Sequence, residues 1–402
     1  MKIKEITERV LGLNKTILAL SFARMADAMG NSILFIMIPI YVAKIPTEHI
    51  DMPTPVLVGL LISIFGFVTS LCQPLMGSLS DSLNKRKVLI IIGMIIIGTG
   101  TLGFMLAENF LHLLLLRIMQ GVGVAITIPA SLSIITAVSN KETRGGAMGV
   151  YSTSRMIGFA IGPVIGGYLQ VNHGFDAAFI AGAGFVFLSV LMVLIWVKEV
   201  HVDNVDSKKK SGVFDWSLYT PGILTGALAT FTMASCFSMV TTLENQFNER
   251  LDITAFGFSV AFSMLMVGRL FFQVPLGHLS DKKGRRPFIL GGLVLMAIST
   301  ILMGEVQEMY QLIILRLAQG VAAAGIAAPA FALAADLSRK GGEGRQMSII
   351  TMGFAMGIAV GPLITGVLVS QFFELPFIVT GVAALVSAFL VYKYMPETVT
   401  KS

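Results

Sequence analysis

Long apolar segments alternate with short polar ones along almost the whole chain. Each apolar segment holds about 20 residues or more, which matches the thickness of a bilayer's hydrocarbon core when the segment is helical. The pattern predicts an all-α membrane protein with twelve transmembrane helices. The predicted spans are 16–43, 55–76, 88–107, 110–138, 147–170, 177–197, 218–243, 254–276, 287–304, 309–335, 346–370 and 375–395.

The second half of the chain repeats the first. The sequence RIMQGVGVAITIPA that begins at Arg117 returns as RLAQGVAAAGIAAPA from Arg316, and the glycine–proline pair at 162–163 returns at 361–362. A half-chain repeat in an apolar protein predicts two pseudo-symmetric six-helix bundles. The predicted organisation is an N-terminal bundle 1–197, a polar cytoplasmic linker 198–217 and a C-terminal bundle 218–402.

The composition is typical of a membrane protein and not of a soluble one. Of 402 residues, 55% are hydrophobic and 13% are charged, against a charged share of about 25% in soluble domains. Most of the 29 Lys and Arg fall on one side of the predicted topology, which places both termini in the cytoplasm and the protein in the cell (inner) membrane. The net charge of +6 therefore reflects topology, and we expect no nucleic-acid partner.

The chain lacks the sequence motifs of several functional classes. The chain has no GxxxxGK[ST] loop, no Cys/His cluster at metal-ligand spacing and no GxSxG sequence, so we expect no ATP-driven pump, no metal site and no enzyme. Cys72 and Cys236 both lie in apolar runs, which gives no indication of a disulfide. No cofactor is expected, and the energy source would be a proton gradient.

Two basic segments separate apolar spans at equivalent places in the two halves. They read QPLMGSLSDSLNKR and QVPLGHLSDKKGRR. The second resembles the loop between helices 2 and 3 of the major facilitator superfamily, G-x-L-x-D-[RK]-x-G-[RK]-[RK], at every position; the first departs at Ser82 and Asn84. Gly277 would let two helices approach, Gly284 would permit a left-handed turn, and the charges would bind neighbouring helix ends. The predicted gating residues are Gly77, Asp81, Lys85, Arg86, Gly277, Asp281, Lys282, Gly284, Arg285 and Arg286.

Two further motifs narrow the resemblance. LLLLRIMQGVGVA in span 4 is similar to the family's arginine motif, and GFAIGPVIGG in span 5 is similar to its antiporter motif. Small residues at this spacing allow close helix packing, and proline loosens the helix between them. The antiporter-motif residues are Gly158, Gly162, Pro163, Gly166 and Gly167. The resemblance implies a monomeric, twelve-helix, drug:proton antiporter-like exporter that works by alternating access.

Asp27 is the one carboxylate well inside a predicted span. Arg24 and Asn31 lie three residues before it and four after it, so all three share one helix face. Because ionisable groups in a bilayer are costly, we predict that Asp27 binds the transported proton, tuned by Arg24 and, across helices that are neighbours in the family, by Arg117. The alternative is a permanent Arg24–Asp27 ion pair that only orders the helix.

Other polar residues in or near the spans carry predictions of their own. Arg155 and Arg269 lie at matched depths and either pair with helix ends or form a candidate anion site. Glu244, at the outer end of span 7, is expected to be a solvated interfacial carboxylate rather than a proton or cation site, and Asp336 is expected to bind the cytoplasmic loops. The predicted substrate-cavity residues are Asn31, Phe35, Gln120, Phe231, Met233, Phe237 and Gln319; the two glutamines could also orient the motif arginines.

Three functions remain open on the sequence. The first is proton-coupled export of a small amphipathic or cationic compound. The second is an organic-anion or sugar carrier of the same fold, with arginines inside the spans binding the substrate. The third is a non-transporting, transporter-like sensor or scaffold, whose one indication is the irregular first basic segment.

Overall fold

The computed structural model describes residues 14–45, 52–83, 85–139, 144–199, 219–337 and 343–398. These residues form thirteen α-helices, one 3₁₀ turn at Phe104–Leu106 and no strand. The helices of the first half are α1 Lys15–Val42, α2 Thr54–Leu83, α3 Arg86–Gly103, α4 Phe110–Val138, α5 Arg144–His173 and α6 Phe175–Trp196. Those of the second half are α7 Pro221–Thr242, α8 Glu244–Leu251, α9 Ala255–Lys283, α10 Arg285–Met303, α11 Met309–Asp336, α12 Glu343–Val369 and α13 Leu375–Tyr394.

Twelve of these helices are long, and they match the twelve predicted spans in order. Within the described residues, eleven are long and apolar enough to cross a membrane; α5 is as long, but Arg155 and its many small and polar residues make it less apolar. Several helices begin at side-chain caps, such as Asn14, which accepts the Ile17 N–H at 2.8 Å. The protein is therefore an all-α, multi-pass membrane protein.

Large apolar side chains face outward on many helices. Ile195, Phe271 and Val274 are between 70% and 77% exposed. In water such surfaces would associate, whereas in a bilayer they are the expected contact with lipid. The lipid bilayer is thus the environment that the fold requires.

Two helices extend further than their apolar spans. The spans predicted to end at 76 and 276 continue as helix to Leu83 in α2 and to Lys283 in α9. No proline occurs between these predicted ends and Asn84 or Gly284. In α9, Lys282 and Lys283 also lie in the last turn, where basic residues are favourable. Most of each basic segment is consequently helix, which corrects the expectation of a polar turn.

The chain divides into two compact units. Unit 1 comprises Met1–Ile50 with Phe67–Lys208, and unit 2 comprises Asp51–Gly66 with Lys209–Ser402. In unit 1, α1 packs against α5 and α6, and α3 against α4 and α6; in unit 2, α7 packs against α12 and α13, and α10 against α11 and α13. The internal repeat of the sequence is therefore a repeat of helix packing. Of the predicted linker 198–217, only Lys198 and Glu199 lie within the described residues.

Candidate functional site

The charged face of α1 is buried in unit 1. Arg24 and Asp27, one helical turn apart, form an ion pair through Asp27 Oδ2, and the two residues are 8% and 4% exposed. The other oxygen, Oδ1, is buried and has no hydrogen-bond partner among the described residues. A buried acceptor without a donor is unfavourable, so Asp27 offers one oxygen at which a proton would be stabilising.

Arg155 on α5 is a second cation that acts on Asp27. Its guanidinium lies 5.4 Å from the Phe159 ring, and the guanidinium of Arg24 lies 5.9 Å from the Tyr151 ring on the same helix. The sequence associated Arg155 with Arg269 and did not connect it to Asp27, because only the packing of α5 on α1 brings them together. Arg269, in unit 2, donates its Nε–H to Gln273 at 3.0 Å.

Arg117 on α4 is fully buried and hydrogen-bonded. It donates to Gln120 Oε1 at 3.1 Å and to Asn31 Oδ1 at 3.3 Å, and Gln120 in turn donates to Thr101 on α3 at 3.0 Å. The Phe35 ring lies 5.8 Å from the guanidinium. Gln120 thus orients the motif arginine, one of the two roles predicted for it, whereas the predicted pairing of Arg117 with Asp27 stays a prediction.

Unit 2 repeats this arrangement. Arg316, also fully buried, donates to Gln319 at 2.9 Å, and Gln319 donates to Thr300 at 2.9 Å. The guanidinium lies 5.7 Å from the Phe237 ring and 4.9 Å from the Phe262 ring. Since both units hold an arginine by the same glutamine–threonine relay, the relay is a structural element that the two units share.

The predicted antiporter motif forms the contact between α5 and α1. A methyl group added to Gly158 would overlap the Met25 carbonyl oxygen, and one added to Gly162 would lie 2.7 Å from the Met29 carbonyl oxygen. The Ser32 hydroxyl donates to the Gly158 carbonyl at 3.3 Å. Gly166 continues the contact against Ile33, and both Pro163 and Gly167 are buried. These glycines set the distance between α5 and the helix that carries Asp27.

The other predicted cavity residues mostly serve packing. Met233 lies in the hydrophobic core of unit 2, and Phe35 packs at 5.8 Å against the Phe159 ring. The backbone of Phe231 contacts Gly357 on α12. Their predicted role in substrate binding stays a prediction.

The second basic motif joins four helices of unit 2. Arg285 forms an ion pair with Asp281 and, at 3.2 Å, with Asp336 at the end of α11, while Arg286 donates to the Tyr392 carbonyl on α13. The expectation that these charges bind helix ends, and that Asp336 binds this segment, is confirmed. Gly284 has φ +108°, as its predicted role requires. A methyl group on Gly277 meets only Ala328 at 3.5 Å, an ordinary contact, so Gly277 is not needed for close approach.

Glu397, three residues past α13, completes this junction. Its carboxylate accepts the N–H groups of Arg285 at 2.8 Å and Arg286 at 3.2 Å, which are the first two residues of α10. A carboxylate at a helix N-terminus satisfies open donors and complements the helix dipole. No sequence motif predicted a role for this residue.

The first basic motif is shifted relative to the second. Lys85 precedes α3 as Gly284 precedes α10, and it has φ −119°; Arg86, 2% exposed, occupies the place of Arg285. Counting from the helix start therefore aligns Lys85, rather than Asn84, with the glycine. Glu199 repeats Glu397, since it accepts the Lys87 N–H at 3.1 Å. Gly77 meets only Pro129 at 3.6 Å, and the Asp81 side chain and Asn84 lie outside the described residues.

We expect Glu397→Ala to lower the melting temperature of the purified protein more than Glu199→Ala does. Glu397 holds two N–H groups of a helix start and Glu199 holds one, and loss of a helix-capping side chain costs about 0.5–2 kcal/mol. Thermal unfolding in one detergent compares the two variants directly. Equal effects, or the reverse order, would show that the carboxylates do not stabilise the protein as caps.

Glu244 corrects the expectation of a solvated carboxylate. It is the first residue of α8, and it is 0% exposed. The sequence placed it correctly at the end of span 7, but the burial comes from the short helix α8, which the sequence pattern did not predict.

Repeated helix packing around buried charges defines a multi-pass membrane protein built as two similar units. The sequence profile of the Major Facilitator Superfamily matches residues 20–247 and again 223–402. The chain belongs to this superfamily, and it is a transporter rather than an enzyme.

Relatives and solved structures agree with this placement. The chain is 25% identical to the quinolone resistance protein NorA of Staphylococcus aureus, over 90% of the chain and 92% of that protein. It is 25% identical to the multi-drug resistance efflux pump PmrA of Streptococcus pneumoniae over 78% of the chain and 79% of that protein. A bacterial homolog of the human lysosomal transporter Spinster superposes with TM-score 0.79 at 15% identity, covering 94% of this chain and 95% of that one, and shows the same fold.

Proposed function

We propose that the protein exports a small amphipathic or cationic compound in exchange for protons, with Asp27 as the proton site. The observation that carries the proposal is the Asp27 carboxylate, buried inside a predicted span with one oxygen paired and the other without a donor. The names of NorA and PmrA, a quinolone resistance protein and a multi-drug resistance efflux pump, support drug-like compounds as the substrate class.

The chemistry of exchange follows from charge. With Asp27 ionised, its charge neutralises Arg24, and Arg155 adds a second positive charge that acts on the same carboxylate. Binding a proton at Asp27 adds one positive charge in a region of low dielectric, where charges interact strongly. A cationic substrate and a proton are therefore expected to exclude each other, which is the requirement for antiport between two states open to opposite sides.

The contact between α5 and α1 would couple the Asp27 site to the two basic motifs. The Gly158–Gly162 contact holds α5, which carries Arg155, against α1, so a shift of either helix changes the surroundings of Asp27. The motif at Asp281, Arg285 and Arg286 would close the cytoplasmic side. Both termini would be cytoplasmic in the cell membrane, the transporter would act as a monomer, and it would need no cofactor beyond the proton gradient.

The second candidate is an organic-anion or sugar carrier. One observation favours it: two cations, Arg24 and Arg155, surround one carboxylate, and Arg155 is only partly buried. Arg117 and Arg316 are weaker candidates for substrate binding, since both are fully buried and already bonded to glutamines.

Everted membrane vesicles with an acidic interior distinguish the candidates. Tetraphenylphosphonium, a disaccharide and an aromatic carboxylate are added in turn, and proton release is compared with vesicles lacking the protein. We expect the cation to discharge the gradient. Discharge by the carboxylate alone, lost in Arg155→Ala, would establish the anion carrier and reject cation export.

A further inference from the structure

Glu244 occupies a closed position at the end of unit 2 opposite the α9–α10 junction. It follows α7 by two residues and begins α8, and both Leu243 and Glu244 are 0% exposed. Phe247, less than one turn further along, is also fully buried and packs at 5.3–6.0 Å against the rings of Phe258, Phe373 and Phe377. The carboxyl group is thus on a short helix fixed by an aromatic cluster rather than in a solvated loop.

Four buried oxygen atoms on α8 have no hydrogen-bond partner within geometric reach among the described residues. Neither carboxylate oxygen has a hydrogen-bond partner in geometric reach among the described residues, and Asn248 Oδ1 and Gln246 Oε1 are likewise buried acceptors without a donor. A carboxylate would add two more unpaired acceptors, whereas a protonated carboxyl group would supply the missing donor. Asn248, one turn along the same face, is the acceptor best placed to receive it.

Charges on the neighbouring elements do not favour the ionised form. The helices α7 and α9 pack against α8; α7 has no charged residue and α9 has none before Arg269. On α8 itself Arg250 pairs with Glu374 at 2.9 Å, at the start of α13, and Glu249 and the following Asp252 are exposed.

Burial is the strongest influence on this group. It raises the pKa of Glu244 well above the ordinary value, and the Asn248 side chain acts in the opposite direction. The helix N-terminus also favours a negative charge, but this effect is small beside the desolvation of a buried carboxylate.

We propose that Glu244 is a second proton-binding site, held protonated in this state and separate from Asp27. Its protonation does not depend on the proposed export function; only its role as a carrier of the exchanged proton rests on that function. Because it lies in unit 2 and Asp27 in unit 1, each unit would contain one buried carboxyl group that releases its proton when its surroundings become hydrated.

Infrared difference spectroscopy of the purified protein tests the protonation. We expect a protonated-carboxyl band at neutral pH that Glu244→Gln removes in both the wild-type and the Asp27→Asn backgrounds, and that Glu249→Gln, on the exposed side of the same helix, leaves unchanged. A band that survives Glu244→Gln, or that is lost with Glu249→Gln, would overturn the proposal. If Glu244→Gln fails to fold, Glu244→Asp is used, and it should keep a shifted band.

Melting temperature against pH gives an independent readout. A carboxyl group whose folded pKa is raised stabilises the folded state fully below its unfolded pKa and loses that contribution as pH rises toward the folded pKa. Glu244→Gln carries no such dependence, so its melting temperature should rise relative to wild type between pH 5 and pH 8. Parallel curves would contradict a buried proton. Absence of proton exchange with every compound in vesicles would instead reject the export function and leave this result standing.

Discussion

Asp27→Asn is expected to abolish proton release driven by tetraphenylphosphonium, a loss of at least about 10-fold, while the protein still folds. Asparagine is nearly isosteric but carries no titratable proton, and Arg24 loses its ionic partner. Breaking a buried ion pair by neutralising one side is costly, so some loss of thermal stability accompanies the loss of coupling. Proton release is measured in everted vesicles, with protein content normalised by immunoblot.

Two controls separate proton binding from structural damage. Asp27→Glu retains a carboxyl group and should recover part of the proton release. Glu374→Gln removes a partly exposed, Arg250-paired carboxylate at the start of α13 and should leave coupling unchanged. If Asp27→Asn released protons as wild type does, Asp27 would be a structural partner of Arg24, and the proposed mechanism would be rejected.

Gly162→Ala is expected to lower both the melting temperature and the transport rate. Its methyl group would lie 2.9 Å from Met29 Cα and 2.7 Å from the Met29 carbonyl oxygen, backbone atoms that move only if α5 and α1 separate. Overpacking of this kind costs about 1–3 kcal/mol, which exceeds the roughly 1 kcal/mol that alanine gains over glycine in a helix. Thermal unfolding and proton release are measured on the same preparations.

The matched control is Gly149→Ala on the same helix. A methyl group there meets nothing within 4 Å, so only the helix-propensity gain remains, and stability should be unchanged or slightly higher. Similar behaviour of the two variants would mean that α5 and α1 do not depend on close contact at Gly162.

The helices were predictable because their apolar length and their capping residues are local properties of the sequence. The half-chain repeat also predicted the matched arginines 117 and 316 and glutamines that could orient them, but not the threonines to which both glutamines donate. The Arg155–Asp27 proximity depends on how α5 packs on α1. The burial of Glu244 depends on α8, whose Phe247 packs against three phenylalanine rings from elsewhere in unit 2. Contacts of that kind form through tertiary packing, so the spacing of residues along the sequence does not predict them.

The basic motifs show a related limit. A pattern match aligned Asn84 with Gly284, whereas the start of each helix aligns Lys85 with it. One additional residue between Asp81 and α3 causes the shift, and a motif read without helix boundaries cannot detect it. The roles of Glu199 and Glu397 were not predicted, because each residue caps a helix start that lies more than 100 residues away in the sequence.

Proton release from the purified transporter on addition of tetraphenylphosphonium tests the central proposal most directly. Weakly buffered detergent solution and a pH indicator are sufficient, and no membrane gradient is involved. Competition between the cation and the proton at Asp27 predicts release from wild type and little release from Asp27→Asn, although the variant still binds the cation. Cation binding by wild type without any proton release, or equal release from both proteins, would contradict proton exchange at Asp27.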